Sequence, residues 1–206
     1  MKLFAGMLAA VTVTAIAGAA LAAEGDKFVV RGEVTKRTLE QNNINIATAE
    51  AIAKACIEEA NKEGVSVSIA ILDQFGEPVY LYRMDGQVRI AVETALMKAR
   101  TALNNRRPSK AELNSVLQGR TSELRQFEFG NFANSGGLPI VIKDNQMIGV
   151  IGIGGSAPRP PAWSDEICAW RALTKVMGPQ PPLLPDVPRN AAGGGARERA
   201  PSAPNQ

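Results

Sequence analysis

The clearest periodic pattern in the chain is an alternation of large and small side chains over residues 65–72, with the period of two expected for a β-strand. Turn residues follow, and residues 79–82 form a second β-favouring run. The same arrangement recurs where residues 139–142 and 147–153 flank a polar turn. The pattern therefore predicts two β-hairpins.

Four segments carry the signals of α-helices. They are residues 48–62, residues 89–104, a short segment from Pro108 to before Gly119, and residues 165–177. Thr48 and Ser164 are predicted N-caps, and Ser109 with Glu112 forms a predicted capping box. Residues 89–104 have two apolar faces, which indicates burial against the sheet and against a second surface. The order of elements predicts an α/β (α+β) domain with mostly antiparallel pairing.

Both ends of the chain differ in composition from this central domain, residues 46–177. Residues 1–22 join a positive start to an apolar stretch and a small-x-small pattern, which predicts a secretory signal peptide; an uncleaved membrane anchor is the alternative. Residues 23–45 form a polar N-terminal arm that either pairs with a neighbour or leads into the domain. Residues 178–206 are rich in Pro and Gly, which predicts a disordered tail.

Charge and residue content exclude several kinds of function. The net charge of +3 comes from mixed basic and acidic residues, so nucleic acid is not a predicted partner. The absence of histidine excludes Ser-His-Asp and Cys-His catalysis and histidine-ligated metal or haem. Cys56 and Cys168 lie in no C-x-x-C motif, so no zinc knuckle or covalent haem attachment is predicted. They form either one disulfide in an oxidising compartment or two separately buried thiols.

Five segments occur in an order and spacing that match a known family. They are residues 69–73 followed by Gly76, residues 82–86, residues 95–102, residues 136–140 and residues 148–155, with Asp165 and a helix after them. On these segments the chain resembles the GlcG/HbpS-type haem-binding (haem-degrading) family, which is related to the C-terminal domain of PduO-like proteins. The resemblance covers about residues 46–177.

The resemblance implies a small profilin-like sandwich of two or three layers, in which helices pack on an antiparallel sheet of about five strands. It also implies homo-oligomers and haem as the cofactor. Because the chain has no histidine, bound haem would need a Met, Tyr, Lys, Cys or hydroxyl ligand, or no strong protein bond. Residues 156–163 are proline-rich where the family has a short polar loop, which predicts a lid or a partner-binding edge.

Four polar residues in the matching segments are candidate cofactor-binding residues. Arg83 is predicted to hold a carboxylate or haem propionate, with Asp85 orienting it; a local ion pair at the turn is the alternative. Lys98 and Thr101 share a helix face and offer a cation and a hydroxyl to an anionic ligand. Alternatively, Lys98 lies along an interface and Thr101 bonds back to its own helix.

Glycines complete the predicted cofactor site. Gly154 and Gly155 lie in a strand whose missing side chains let either a helix or a flat ligand approach closely. Gly136 and Gly137 are predicted to form a flexible edge of the pocket. The spacing is not G-x-G-x-x-G, so a dinucleotide loop is not predicted.

Soft and aromatic side chains are further candidates. Met84, Met97 and Met147 are either haem ligands or core residues. Trp170 is predicted to lie in the core, and Trp163, among prolines, is predicted to be exposed.

The features together favour an exported homo-oligomeric protein, periplasmic or secreted, that binds haem, a related tetrapyrrole or a small anionic ligand. One alternative is an accessory subunit of a periplasmic redox enzyme, which would bind its protein partner through the Pro-rich loop and tail. Another is a His-independent enzyme acting on a small acid or a tetrapyrrole through Lys98 or Asp85. No convergent pair of groups predicts catalysis, so no catalytic or metal site is assigned and a binding role is favoured. No membrane association is predicted once the signal peptide is removed.

Overall fold

The sheet is built from the two predicted hairpins. A computed structural model describes residues 42–159 and 162–188 of the chain. Its strands are β1 (Ser68–Leu72), β2 (Pro78–Arg83), β3 (Gly137–Ile142) and β4 (Gln146–Gly154), in the order β2-β1-β4-β3 and all antiparallel. The described residues thus form a four-stranded sheet, where about five strands were predicted. The other β-favouring stretch, residues 28–30, lies outside the described residues.

Four α-helices accompany the sheet. They are α1 (Ile46–Lys62), α2 (Arg89–Asn105), α3 (Lys110–Leu117) and α4 (Asp165–Met177), and a 3₁₀-helix spans Thr121–Phe129. Helices α1 and α4 pack together on one face of the sheet and α2 packs on the other face. The predicted sandwich is therefore confirmed in its three-layer form.

The central strands divide the core between the two faces. Ile69 and Ile71 of β1 join the cluster of buried residues beneath α1 and α4, whereas Leu72 joins the cluster beneath α2. All five residues of β1 are buried, because β1 lies between β2 and β4 and is covered on both faces. On its sheet side α2 presents small residues, including Ala95 and Ala99, which bring its backbone close to β4.

A disulfide joins the two helices on one face. Cys56 of α1 and Cys168 of α4 are bonded, fully buried, and 5.3 Å apart at their Cα atoms. Of the two arrangements left open by the sequence, the structure has the disulfide.

The ends of the chain lie largely outside the described residues. The signal-peptide prediction and most of the predicted arm fall on residues 1–41, and the end of the predicted tail falls on residues 189–206. The described end of the arm reaches β4, where the Ile44 backbone N–H donates to the Ile148 carbonyl at 2.8 Å. Among the described helices, none has the length and apolarity that a bilayer crossing requires.

Candidate functional site

Lys98, predicted to contact a ligand, lies at the centre of a buried polar network. Its ammonium is paired with Asp165 Oδ2 at 2.6 Å and donates to the Ile153 carbonyl at 2.9 Å. The other Asp165 oxygen accepts from the Ser156 hydroxyl, which in turn accepts from the Trp163 indole N–H at 2.7 Å. The network joins α2, the end of β4 and the start of α4. The Lys98 ammonium is therefore occupied by contacts within the protein.

Thr101 is also committed to contacts within the protein. Its hydroxyl donates to the Met97 carbonyl at 2.7 Å, one turn earlier in α2, and accepts from the Phe132 backbone N–H at 2.7 Å. The side chain is fully buried. The back-bonding alternative for Thr101 is therefore what the structure contains, and the hydroxyl also fixes the loop that precedes β3.

The glycines let α2 approach the sheet. A Cβ on Gly137 would overlap the Lys98 backbone carbonyl, and one on Gly154 would lie 2.5 Å from the Ala91 carbonyl. Gly136 has a φ of +116°, and a Cβ there would lie 2.8 Å from the Asp165 Cβ. Of the two partners predicted for this glycine-rich surface, a helix or a flat ligand, the helix fills the space.

Gly155 follows the last residue of β4 and lies at a bend in the chain. Its φ is +106°, and a Cβ there would overlap the Gln87 side chain. The Gln87 side-chain amide donates to the Gly155 carbonyl at 2.9 Å. This hydrogen bond links the end of β4 to the segment before α2.

Arg83 and Asp85 lie apart from the Lys98 network, on the exposed end of edge strand β2 and in the turn after it. Among the described residues neither side chain takes part in an ion pair, so the local ion pair proposed as their alternative is absent. The Asp85 backbone carbonyl accepts from the Ser66 hydroxyl at 2.9 Å. The structure thus brings Lys98, Gly136, Gly137 and Gly154 together but leaves Arg83 and Asp85 facing solvent. The ligand-contact role of all eight residues stays a prediction.

A cavity of about 340 Å³ lies elsewhere, between the outer edge of the sheet and the start of the C-terminal tail. We call it the strap cavity. Its apolar wall comes from β3 and β4 (Leu138, Val141, Met147) and from α4 (Trp170, Leu173), and the loop after α2 adds Arg106 and Arg107. Its remaining wall is formed by residues 180–183 of the tail.

The tail wall of this cavity is an ordered segment, residues 179–188, which we call the strap. The Trp170 indole N–H donates to the Pro181 carbonyl at 2.9 Å, and the Asn114 amide donates to the Pro185 carbonyl at 3.1 Å. The Lys110 ammonium donates to the Leu184 carbonyl at 2.8 Å and pairs with Asp186 at 2.7 Å.

The strap differs from the disorder predicted for residues 178–206. An extended proline-rich segment makes no internal hydrogen bonds, so composition alone indicates disorder. Here donors on α3 and α4 bond three of the strap carbonyls, and Leu183 packs against the core. The restricted backbone of the prolines also lowers the entropy lost on ordering.

Two buried charged residues lie beneath the strap. Glu166 is 2% exposed, and burial raises the pKa of its carboxyl group. Lys110, 3.4 Å from Glu166 Oε2, opposes that rise. Burial by itself lowers the pKa of Lys110, but Asp186 and Glu166 outweigh it and raise the pKa. Among the described residues, Glu166 Oε1 is buried with no hydrogen-bond partner.

The arginines at the mouth of the strap cavity differ in what they contact. Arg107 is paired with the buried carboxylate of Glu112. Arg106, in a left-handed conformation with φ of 49°, takes part in no ion pair among the described residues and is exposed. Arg106 is therefore the cation most available to an anionic ligand at this cavity.

Sequence reasoning missed the strap cavity. Its walls come from segments separated by many tens of residues, and Arg106 and Arg107 stand in no motif. Two of its lining residues were considered from the sequence, Met147 as either a haem ligand or a core residue and Trp170 as a core residue. Met84 lines a different cavity beside Asp85, and Met97 lies on α2.

Comparisons with known proteins agree with the fold. The profile of the family described as "Haem degrading protein HbpS-like" matches residues 44–174. Protein GlcG of Escherichia coli K12 is 41% identical over 105 residues, which are 51% of this chain and 76% of that protein.

Solved structures are also similar. A double mutant of Streptomyces reticuli HbpS has a TM-score of 0.59 at 25% identity, over 72% of this chain and 94% of that one. PduOC in complex with heme has a TM-score of 0.53 at 25% identity, over 64% of this chain and 94% of that one. The fold, the order of the matching segments along the chain and the matched family profile agree, so the chain belongs to the HbpS-like family.

Proposed function

We propose that this chain is an exported binding protein for haem or a related tetrapyrrole, held in the strap cavity. The observation that carries the proposal is the juxtaposition of an apolar wall containing Trp170 with the exposed cation of Arg106. A tetrapyrrole such as haem combines a flat apolar ring with carboxylates, and its recognition needs both features. The similarity to PduOC, solved with heme, supports the choice of ligand.

The side chains around the cavity fit haem chemically. Arg106 would hold a propionate, because guanidinium groups bind carboxylates through paired hydrogen bonds and Arg106 has no ion-pair partner among the described residues. Trp170 would lie against the ring. Met147, which lines the cavity, carries a thioether of the kind that ligates haem iron in other proteins. Haem would supply the redox and oxygen chemistry, and this chain would supply binding, orientation and exclusion of water.

The cavity size favours a second, smaller ligand class. A volume of about 340 Å³ lies near the lower end of the roughly 300–1,000 Å³ typical of small-molecule sites. A small carboxylic acid with an apolar body would fit beneath the strap in its present position, whereas a whole tetrapyrrole would require the strap to move.

Export is supported by the disulfide. Disulfides persist in oxidising compartments such as the bacterial periplasm and the cell exterior, and Cys56–Cys168 is fully buried within the fold. The proposed periplasmic or secreted location is tested by fractionating cells that express the full chain and measuring the mass of the exported form. An exported mass lacking residues 1–22 or 1–23 is expected, whereas a full-length chain in the cytosol would contradict export.

Assembly of several copies is supported by exposed apolar side chains. Phe127 and Phe129 of the 3₁₀-helix are 58% and 81% exposed, and Leu124 lies beside them in sequence. Light scattering of the purified mature protein tests the proposal. An oligomer is expected, and a monomer at micromolar concentration would contradict it.

The binding proposal is tested by hemin titration of a matched pair of arginine variants. Arg106 borders the strap cavity, and Arg83 belongs to the site predicted from sequence; both are exposed and lack an ion-pair partner among the described residues. We expect Arg106→Ala to weaken hemin binding about tenfold, as for loss of one charge-assisted hydrogen bond, and Arg83→Ala to leave it unchanged.

The titration is followed in the Soret band, with an unrelated protein as the blank. If Arg83→Ala weakens hemin binding and Arg106→Ala does not, the site lies at the turn after β2. A titration that does not saturate in the wild type would remove haem as the ligand.

A further inference from the structure

Asp186 reaches a buried cation from the outside of the molecule. The Asp186 side chain is 82% exposed, whereas the Lys110 side chain it pairs with is 10% exposed. The Lys110 ammonium also donates to the Leu184 carbonyl, so the strap supplies both of its short contacts. Lys110 thus belongs to α3, in the body of the domain. Both groups that contact its ammonium at short distance belong to the strap.

Lys110 lies next to the strap cavity. Glu166, Trp170 and Leu173 share one face of α4, since they are spaced by four and three residues. Trp170 and Leu173 line the cavity, and Glu166, one turn earlier, faces Lys110 at 3.4 Å. Leu183 lines the cavity, and the next residue bonds Lys110. Lys110 does not itself line the cavity, but its ammonium contacts Glu166 and Leu184, which are close in the helix and in the strap to the lining residues Trp170 and Leu183.

The polar surroundings of Lys110 are incomplete without an external carboxylate. Glu166 Oε2 is at 3.4 Å, longer than a good charge-assisted hydrogen bond, and Glu166 Oε1 has no partner among the described residues. The short ionic contact, at 2.7 Å, comes from Asp186. Because that carboxylate is largely in water, it can leave at little cost and be replaced by another carboxylate.

We propose that Lys110 is a carboxylate-binding residue of the strap cavity, and that Asp186 occupies the place of the ligand carboxylate. The inference rests on the proposed binding function and assigns it a recognition residue and a competitor within the chain. An apolar ligand bearing a carboxylate binds along Trp170 and displaces Asp186 from Lys110. The strap and the ligand then exclude each other at this position, so removal of the strap carboxylate favours the ligand.

The test compares carboxylate binding in variants of the full mature chain. Asp186→Asn removes the competing charge and leaves Lys110 in place, and we expect it to tighten binding about tenfold. Lys110→Gln removes the recognition charge and should weaken binding by a similar factor, whereas Lys110→Arg should retain most of it. Glu50→Gln, on an exposed position of α1, is the matched control and should change nothing.

Two probes separate this proposal from haem binding. Hemin is followed in the Soret band, and dodecanoate, an apolar carboxylate without a porphyrin, is followed by calorimetry. Thermal unfolding of each variant establishes that it is folded. If Lys110→Gln does not fold, the Asp186→Asn variant still tests the proposal. Both probes should bind more tightly to Asp186→Asn than to the wild type.

The other outcomes distinguish the Lys110 assignment from haem binding. Hemin and dodecanoate affinities that are equal in the wild type and Asp186→Asn would overturn the Lys110 assignment and leave haem binding standing. Dodecanoate binding that follows the expected pattern without any hemin binding would support the Lys110 assignment and remove haem as the ligand. Failure of both probes to bind any folded variant would overturn both proposals.

Discussion

The ion pair between Lys98 and Asp165 stabilises the fold only while both charges are present. Each charge alone would lie in a low-dielectric interior, where an unpaired ion costs several kcal/mol. Their mutual attraction, with the bonds to the Ile153 carbonyl and the Ser156 hydroxyl, offsets that cost. At the scale of the residue, Lys98 is therefore a structural link between three elements.

Replacement of Lys98 by methionine gives a direct test of this role. We expect Lys98→Met to lower the free energy of unfolding by about 3–5 kcal/mol, because Asp165 is left buried and unpaired. The double variant Lys98→Met/Asp165→Leu should regain most of the loss. Urea unfolding measures both, with Lys54→Met on the exposed side of α1 as control. A Lys98→Met protein as stable as the control would contradict the structural role.

Local sequence predicted some residue contacts and not others. Ser164 caps α4 as predicted, accepting from the Ile167 N–H at 3.1 Å. Helix α1 begins earlier than predicted, and Asn45 rather than Thr48 is its cap. Ser109 caps nothing with its side chain, because its hydroxyl donates to the Asn134 carbonyl and accepts from the Gly137 N–H. Those partners are distant in sequence, so no local pattern could indicate them.

Trp163 shows the same limitation. Its proline neighbours predicted exposure, but the ring is fully buried and its N–H bonds Ser156. The burial depends on the Lys98 and Asp165 network, which forms only when α2, β4 and the start of α4 meet. The exposure prediction for Trp163 is therefore wrong, for a reason that lies in the tertiary structure.

At the scale of the element, the disulfide fixes α1 against α4. The two cysteines are separated by 112 residues, so the bond closes a long loop. In the loop-entropy account such a bond contributes roughly 4–5 kcal/mol, mainly by restricting the unfolded chain. We expect reduction to lower the free energy of unfolding by that amount, as measured by urea unfolding with and without reductant.

The matched control for the reduction experiment is Cys56→Ala/Cys168→Ala. This variant should be less stable than the oxidised wild type and should not respond to reductant. A wild type whose stability is the same with and without reductant would contradict the stabilising role of the bond.

Elements with strong periodicity were predicted, and the strap was not. The hairpins follow from alternation and turn residues, and α2 follows from its spacing of apolar residues. The strap has no period of its own. Its order comes from Trp170, Lys110 and Asn114, which donate to its carbonyls from other elements. Composition indicates only whether a segment is ordered in isolation, whereas the strap is ordered by hydrogen bonds from α3 and α4.

At the scale of the whole molecule, sequence identified the family and the sandwich but not the cavity. The family motifs are dominated by glycines and buried residues that let α2 pack on the sheet, as Gly137 and Gly154 do. Such residues specify the architecture. The strap cavity also needs Arg106 and residues 180–183, which belong to none of the motifs that carried the resemblance.

The central claim, that the strap cavity holds haem, is tested most directly by locating the iron in crystals of the mature protein grown with hemin. Anomalous scattering at the iron edge places the metal without any assumption about the ligand. The account predicts one iron peak per copy inside the strap cavity, beside Trp170 and within reach of Met147, with the strap displaced. An iron peak at the turn of Arg83 and Asp85, or no ordered iron in hemin-saturated protein, would contradict it.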